Sequence, residues 1–512
     1  MKKKSNFFRK YHKWIGIIVS LFILLFTVSG VILNHRKLFS SVDVNRDYLP
    51  QELQYNNWNL ASVKSTLKIS EDSILVYGNI GVYLTDYKFE KFHDFNIGFP
   101  RGIDNRKVEK VYQTRSDKLL AATLFGLYEF NEIVNDWEKI DDEILDKHIV
   151  DIAEDDEGLM ILTRSELIRT SDLKTFEVFE LPNPVGYDNK IGLFKTIWVI
   201  HSGEIYGTAG KFIVDFFGIL FSIMAITGII FFTFPSIIKK RKKKRLSAKT
   251  HLKTIKISLN WHKRIGWSLG LFLFFTAFTG MFLRPPLLIP IANAKVSKIP
   301  FTELDTPNAW FDKLRRIIYK PENNTYYIAT IEGLFYSDDN FKSELKQIPI
   351  DVPLSVMGIN VFEFNAEGML LVGTFNGLFE LNLASNTFVD YITKKPYVIS
   401  NSRGGSPIGE NMAAGYSNDL GNEFYFDYNK GLTFIDGSNS VYKMPFEIQQ
   451  SRISLWNTAL EMHTARLFKF AFGELYILFI PLFGLSILFV VVSGTIVVFR
   501  QKRKKKKGVR YH

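Results

Sequence analysis

Of the nine histidines in this 512-residue chain, five stand at the ends of long apolar runs: His12, His35, His201, His262 and His463. Imidazole binds transition metals and haem iron, and in helical bundles such ligands project inward from facing helices. His12 and His262 fall at one end of the runs; His35, His201 and His463 fall at the other. Two and two or three histidines would suit one bis-histidine b-type haem near each face, so one or two haems in all. The alternative is that interfacial histidine and tryptophan only anchor helix ends, as Tyr11-His12-Lys13-Trp14 would. His93, His148, His251 and His512 share no pattern and read as surface residues.

Other chemistries are excluded. The chain has no cysteine, which removes disulfides, thiolate metal sites, iron–sulfur clusters and covalently attached haem. It contains no P-loop, G-x-G-x-x-G, H-E-x-x-H or G-x-S-x-G, so no nucleotide-binding domain or hydrolase nucleophile is indicated and no catalytic residue is assigned.

Four apolar runs must carry the histidines: Ile15–Leu33, Phe212–Phe234, Ile265–Leu283 and Leu475–Phe499. Each is long enough to cross a bilayer as a helix, the form in which lipid leaves no backbone group unpaired. The N-terminus has the basic flank and apolar core of a signal peptide but no small-residue cleavage site, and its copy at 262–283 is internal. Both are read as retained helices. His201 and His463 lie outside the runs, about 16 Å away at helical rise, unless the chain bends. Gly207 and Gly210 could bend one approach, and Pro481 is expected to kink the fourth helix. Asp215 and Glu474 sit near outer helix ends, where interfacial solvation is the plainer reading.

The plan is duplicated. A shift of 250 residues matches His12, Gly16, Ser20 and Gly30 to His262, Gly266, Gly270 and Gly280. A second match sets His201-Ser202-Gly203 against His463-Thr464-Ala465, Gly218 against Gly484, and Thr227-Gly228 against Ser493-Gly494. Gly266 and Gly270 form a small-xxx-small face suited to close helix approach; room for a flat cofactor is the functional alternative.

Charge fixes the expected topology. Segments 1–13, 236–264 and 500–512 hold 26 of the 64 Lys+Arg and no Asp or Glu, leaving 38 basic against 52 acidic residues elsewhere. Such lysine-rich segments stay cytoplasmic, which puts both termini and the middle loop inside and 36–205 and 285–460 outside. Topology accounts for these clusters without nucleic-acid binding.

The two outer segments carry short β-type units at a spacing of roughly 40–50 residues, the range of propeller repeats. They begin near Ser73, Lys118, Gly158, Asn324, Gly368 and Asn422. Each combines an apolar strand, a turn such as Gly126-Leu127-Tyr128 or Gly377-Leu378-Phe379, a second strand and a polar hairpin. Val108–Tyr112, Ile149–Ile152 and Ile359–Phe364 could supply inner strands. These units resemble the propeller repeats of hybrid two-component sensors. Three per segment are few for a closed ring, so the expectation is one composite propeller of roughly six or seven blades, against two separate small β domains. The fold class expected is a mixed membrane protein: four transmembrane helices (14–34, 212–234, 265–283, 475–499) as two tandem repeats, plus a β-propeller-like extracytoplasmic domain from two loop insertions.

HKWIGIIVSLFILLFTVSG, IHSGEIYGTAGKFIVDFFGILFSIMAITG, WHKRIGWSLGLFLFFTAFTG and LEMHTARLF with the helix after it resemble the PepSY-associated transmembrane helix family, which includes bacterial reductases of siderophore-bound iron. The resemblance covers the helices and their histidine motifs, about a third of the chain. It implies haem within the bundle, electron transfer across the bacterial inner membrane, and the ligand role for His12, His201, His262 and His463. Two departures stand out: propeller-like outer segments in place of PepSY-type domains, and Ala465-Arg466 where the motif reads Gly-Arg.

Two functions follow as expectations. In the first, a multi-pass inner-membrane haem b protein takes electrons from a quinol or a cytoplasmic reductant and reduces ferric iron or a ferric siderophore in the periplasm, for iron uptake. In the second, the propeller is a membrane-anchored binding or sensing module without redox activity. The sequence leaves the oligomeric state open.

Overall fold

The computed structural model describes residues 2–140, 142–354, 358–397, 411–419, 422–435 and 442–509. His512 and the hairpin residues 436–441 lie outside them. The chain forms two compact units, a helical one from residues 1–36, 189–305 and 456–512 and a β unit from 37–188 and 306–455.

In the helical unit the first run becomes α1 (Lys2–Asn34). A short helix, α2 (Leu193–Ser202), carries His201 and ends at Gly203, whose φ of 83° is the left-handed cap that stops it. One further turn leads to α3 (Gly207–Lys243). The bend expected at Gly207 is present, while Gly210 lies inside α3 with Gly203 directly against it.

The third run differs from expectation. It is two helices, α4 (Lys249–Ser268) and α5 (Gly270–Met281), inclined 65° to one another at Leu269. Gly270 opens α5 with Val491 Cγ1 3.7 Å from where a Cβ would stand, an ordinary contact. α4 also starts sixteen residues before the apolar run, inside the basic loop. The last elements are α6 (Leu455–His463) and α7 (Phe479–Val509), joined by short 3-10 and helical turns. Pro481 does not kink the fourth helix. It occupies the first turn of α7, where a missing N–H costs no intrahelical bond.

Among the described residues three stretches are long and apolar enough to span a membrane, 7–34, 204–243 and 466–501, and the bent α4–α5 pair makes a fourth if counted as one span. The chain is a multi-pass membrane protein. Its bundle core is built on Val19, Ile23, Phe221, Ala225, Leu273, Phe483 and Ile487.

Among the described residues the β unit holds six antiparallel sheets of three to five strands, each in sequential order. Their first strands are β1 (Ser65–Lys68), β2 (Val108–Gln113), β3 (Ile149–Glu154), β4 (Leu314–Lys320), β5 (Ile359–Phe364) and β6 (Ala413–Ser417). Each first strand neighbours the next, and β6 neighbours β1. At that last junction Tyr416 N–H donates to the Lys64 carbonyl at 3.1 Å, an approach open because residue 415 is glycine. Every adjacent pair of sheets shares an apolar cluster. One joins the sheets of β3 and β4 through Met160, Leu162, Tyr326 and Ile328; another joins those of β6 and β1 through Val76, Phe424 and Phe426. The Gly126 and Gly377 turns have φ of 144° and 154°, which a side chain would strain.

Candidate functional site: two histidine pairs seated on glycines

The bundle brings the four motif histidines together in twos. His12 on α1 faces His262 on α4 with ring centroids 6.2 Å apart. His201 on α2 faces His463 on α6, also at 6.2 Å. By helical rise His12 and Gly30, which adjoins His463, are about 27 Å apart along α1, so the pairs occupy different levels. Between them lies the aromatic layer of Phe22, Phe26, Phe217, Phe272, Phe479 and Phe483.

Each ring is held alike. Nδ1 of His12 lies 3.0 Å from the Val490 carbonyl and 3.2 Å from Ser493 Oγ, with the ring against Gly494. His262 repeats this on the Met224 carbonyl at 3.0 Å, beside Thr227 and Gly228. His201 does so on the Thr276 carbonyl at 3.1 Å, beside Thr279 and Gly280. His463 sits on Gly30 with Nδ1 2.9 Å from Ser29 Oγ. A carbonyl only accepts, so in the first three the proton is on Nδ1 and Nε2 keeps its lone pair. Among the described residues none of the four Nε2 atoms has a hydrogen-bond partner. The four Ser/Thr-Gly dipeptides are therefore histidine seats. Sequence reasoning matched all four as repeats, in two pairs, but tied none of them to a histidine, although four seats for four histidines was a countable signal.

His35 joins neither pair. Its Nε2 lies 2.5 Å from Asp215 Oδ2, and Asn34 Nδ2 donates to Asp215 Oδ1 at 2.9 Å and to the Ser202 carbonyl at 3.2 Å. Asp215 is thus buried and bonded, contrary to the expected interfacial solvation. Glu474 is largely exposed and pairs with Lys469. Beside the His12–His262 pair, the ends of α1 and α7 border a groove of about 780 Å³ lined by Phe7, Phe8, Thr495, Ile496, Phe499, Arg500 and Arg503.

In the β unit the first strands collect a polar cluster. Lys64 Nζ meets Glu109 Oε2 at 2.5 Å, and His148 Nε2 lies 3.5 Å from Glu109 Oε1. His148 is therefore not the surface residue expected. Burial would raise the Glu109 carboxyl, but Lys64 and His148 hold it well below the usual range. Burial lifts Glu363 to about 7, only partly offset by Lys110. Arg316 donates to the Val150 carbonyl at 2.7 Å and Asp151 accepts from Ile317 N–H at 3.1 Å.

The sequence matches the PepSY-associated TM region over residues 1–234 and again over 189–502. The chain belongs to that family. The two matches overlap at 189–234 and between them take in all four motif histidines. Among curated proteins none matches this family member in sequence. Solved structures similar to it include the extracellular domain of the hybrid two-component system BT4673 from B. thetaiotaomicron, at 12% identity and TM-score 0.36, covering 76% of this chain and 36% of that one. The extracellular domain of BT3049 from the same organism gives 12% identity and TM-score 0.32, with 75% and 40% covered. The chain thus spans well under half the length of either.

Proposed function

We propose that this PepSY-associated chain is a bacterial inner-membrane haem b protein that carries electrons across the bilayer to ferric iron or a ferric siderophore. The observation carrying the proposal is the 6.2 Å separation within each pair. A metal-bound imidazole nitrogen lies about 2 Å from its metal, and the ring centre roughly 1 Å further, so two imidazoles on opposite sides of one metal stand about 6 Å apart. Among the described residues no three His, Cys, Asp or Glu converge. Two nitrogens per site is the donor count for a metal whose remaining positions a macrocycle fills.

His12 with His262, and His201 with His463, would hold the two haems. A haem bound there supplies a one-electron iron couple. The chain's own groups do the rest. The carbonyls of Val490, Met224 and Thr276 hold the Nδ1 protons and so fix the rings with Nε2 available. The glycines leave room beside each ring, and the phenylalanine layer keeps water out between the levels. The basic segments orient the termini and the His12 pair toward the cytoplasm, and the groove lined by Phe8, Phe499 and Arg500 suits the ring of a quinol or contact with a soluble reductant. The β unit would then be a periplasmic six-bladed composite propeller. The closed succession of first strands and shared apolar clusters supports that reading.

The test is the absorption spectrum of the protein solubilised after haem-replete expression. A Soret band that sharpens on dithionite reduction, with separate losses in His12→Ala and His463→Ala, is expected. Absence of the band from the intact protein would leave the anchored binding or sensing module as the function.

A further inference from the structure

Four residues beyond each glycine seat the two sites differ, Arg284 lying just past the end of α5. At the inner pair Gly228 and Gly494 are followed four residues later by Phe232 and Val498; at the outer pair Gly280 and Gly30 are followed by Arg284 and Asn34. Arg284 is only part-exposed and, among the described residues, forms no ion pair. Its electrostatic neighbours are Arg466, Tyr476 and Glu461. Arg466 itself follows His463 by three residues and bonds Glu461 through Nη2. Ala465 in the left-handed conformation aims that turn. Two guanidinia and one carboxylate leave the outer rim with a net positive charge. Burial and the Arg466 charge both push the Arg284 pKa below its ordinary range. A half-buried cation beside a like charge is destabilising unless an anion completes the group.

We propose that Arg284 and Arg466 form a carboxylate-binding rim for the outer histidine pair and take the propionates of the tetrapyrrole held by His201 and His463, an inference that rests on the haem reading above. Guanidinium pairs carboxylate through paired N–H donors, a stronger and more directional contact than lysine provides. The rim sets which edge of the macrocycle faces the periplasm. The inner pair has Phe232 and Val498 at the matching places.

The test compares full-length wild type with Arg284→Gln/Arg466→Gln and with Arg284→Lys, all loaded with haem or with its dimethyl ester. Haem per polypeptide and the redox midpoints are read spectroscopically. The double variant should lose about half its haem, or bind the outer haem at least tenfold more weakly, and shift only the outer midpoint. Arg284→Lys should recover part of both. In wild type the ester should load the inner site only. Equal haem content and unchanged midpoints in the double variant would overturn the rim while leaving the histidine assignment intact. Wild type without haem would remove both together. Circular dichroism melts separate haem loss from unfolding, and a double variant that fails to fold leaves Arg284→Lys and the ester to decide: outer loading of the ester equal to that of haem overturns the rim.

Discussion

Cε1 of His201 lies 2.8 Å from the point where a Cβ on residue 280 would stand. The same distance separates His12 Cε1 from a Cβ on residue 494, whereas the gaps at Gly228 and Gly30 are 3.3 and 3.5 Å. Adding one methyl group is therefore not one experiment but four graded ones. Gly280→Ala and Gly494→Ala should displace their imidazoles and lower cofactor content several-fold, while Gly30→Ala should be nearly silent. Cofactor-to-protein ratios across the four variants test the order; equal effects at all positions would reject the seating.

Ala465 adopts φ 60° and is fully buried at the place where Gly203, at φ 83°, ends the equivalent helix. A β-carbon in that conformation costs about 1 kcal/mol. Ala465→Gly should raise the melting temperature in detergent by a few degrees without altering any spectrum. A lower melting temperature would show that the methyl group's packing outweighs the backbone strain.

Asp215 is 9% exposed and bonded by both His35 and Asn34. Removing one partner of a buried pair costs about 3 kcal/mol, more than removing both. His35→Phe alone should therefore destabilise more than His35→Phe with Asp215→Leu. The double variant should keep the absorbance of both histidine pairs, because His35 belongs to neither. A thermal-melt cycle measures the first expectation and a spectrum the second.

Glu363 provides a pH test for the β unit. Its folded pKa of about 7 lies above the ordinary glutamate value of 4.5, so between those values the folded state holds a proton that the unfolded state has released. Its contribution is fully present below 4.5 and is lost as pH rises through 7, by up to roughly 3 kcal/mol. Glu363→Gln should flatten that decline and gain stability at pH 8 relative to wild type. Identical pH profiles would place the carboxyl in contact with solvent.

The helices and the grouping of histidines were legible because lipid imposes long uninterrupted apolar runs and duplication repeats each motif. The inner strands were only half legible. Val108–Tyr112, Ile149–Ile152 and Ile359–Phe364 stood out, but Ser65–Lys68, Leu314–Lys320 and Ala413–Ser417 did not. Those strands interleave apolar residues with polar or small ones that meet neighbouring strands: Leu314, Ile317 and Tyr416 join the apolar clusters, while Thr66 donates to Asp419 and Arg316 to a neighbouring strand's carbonyl. The break at Leu269 was invisible for another reason. The run is uniformly apolar across Leu269, and hydropathy does not record a change of helix direction. His35 misled because it shares a helix end with true pair members, and only Asp215, distant in sequence, reveals its commitment.

Every imidazole rests on a helix from the opposite repeat. His12 sits on α7 and His262 on α3, while His201 sits on α5 and His463 on α1. Neither half owns a complete cradle, yet each offers what its twin lacks. A lone half could complete a cradle only against a second copy, so separating the halves should cost both histidine pairs at once. The cradles are shared evenly, yet four residues past them the halves part company, with arginine after Gly280 and phenylalanine after Gly228.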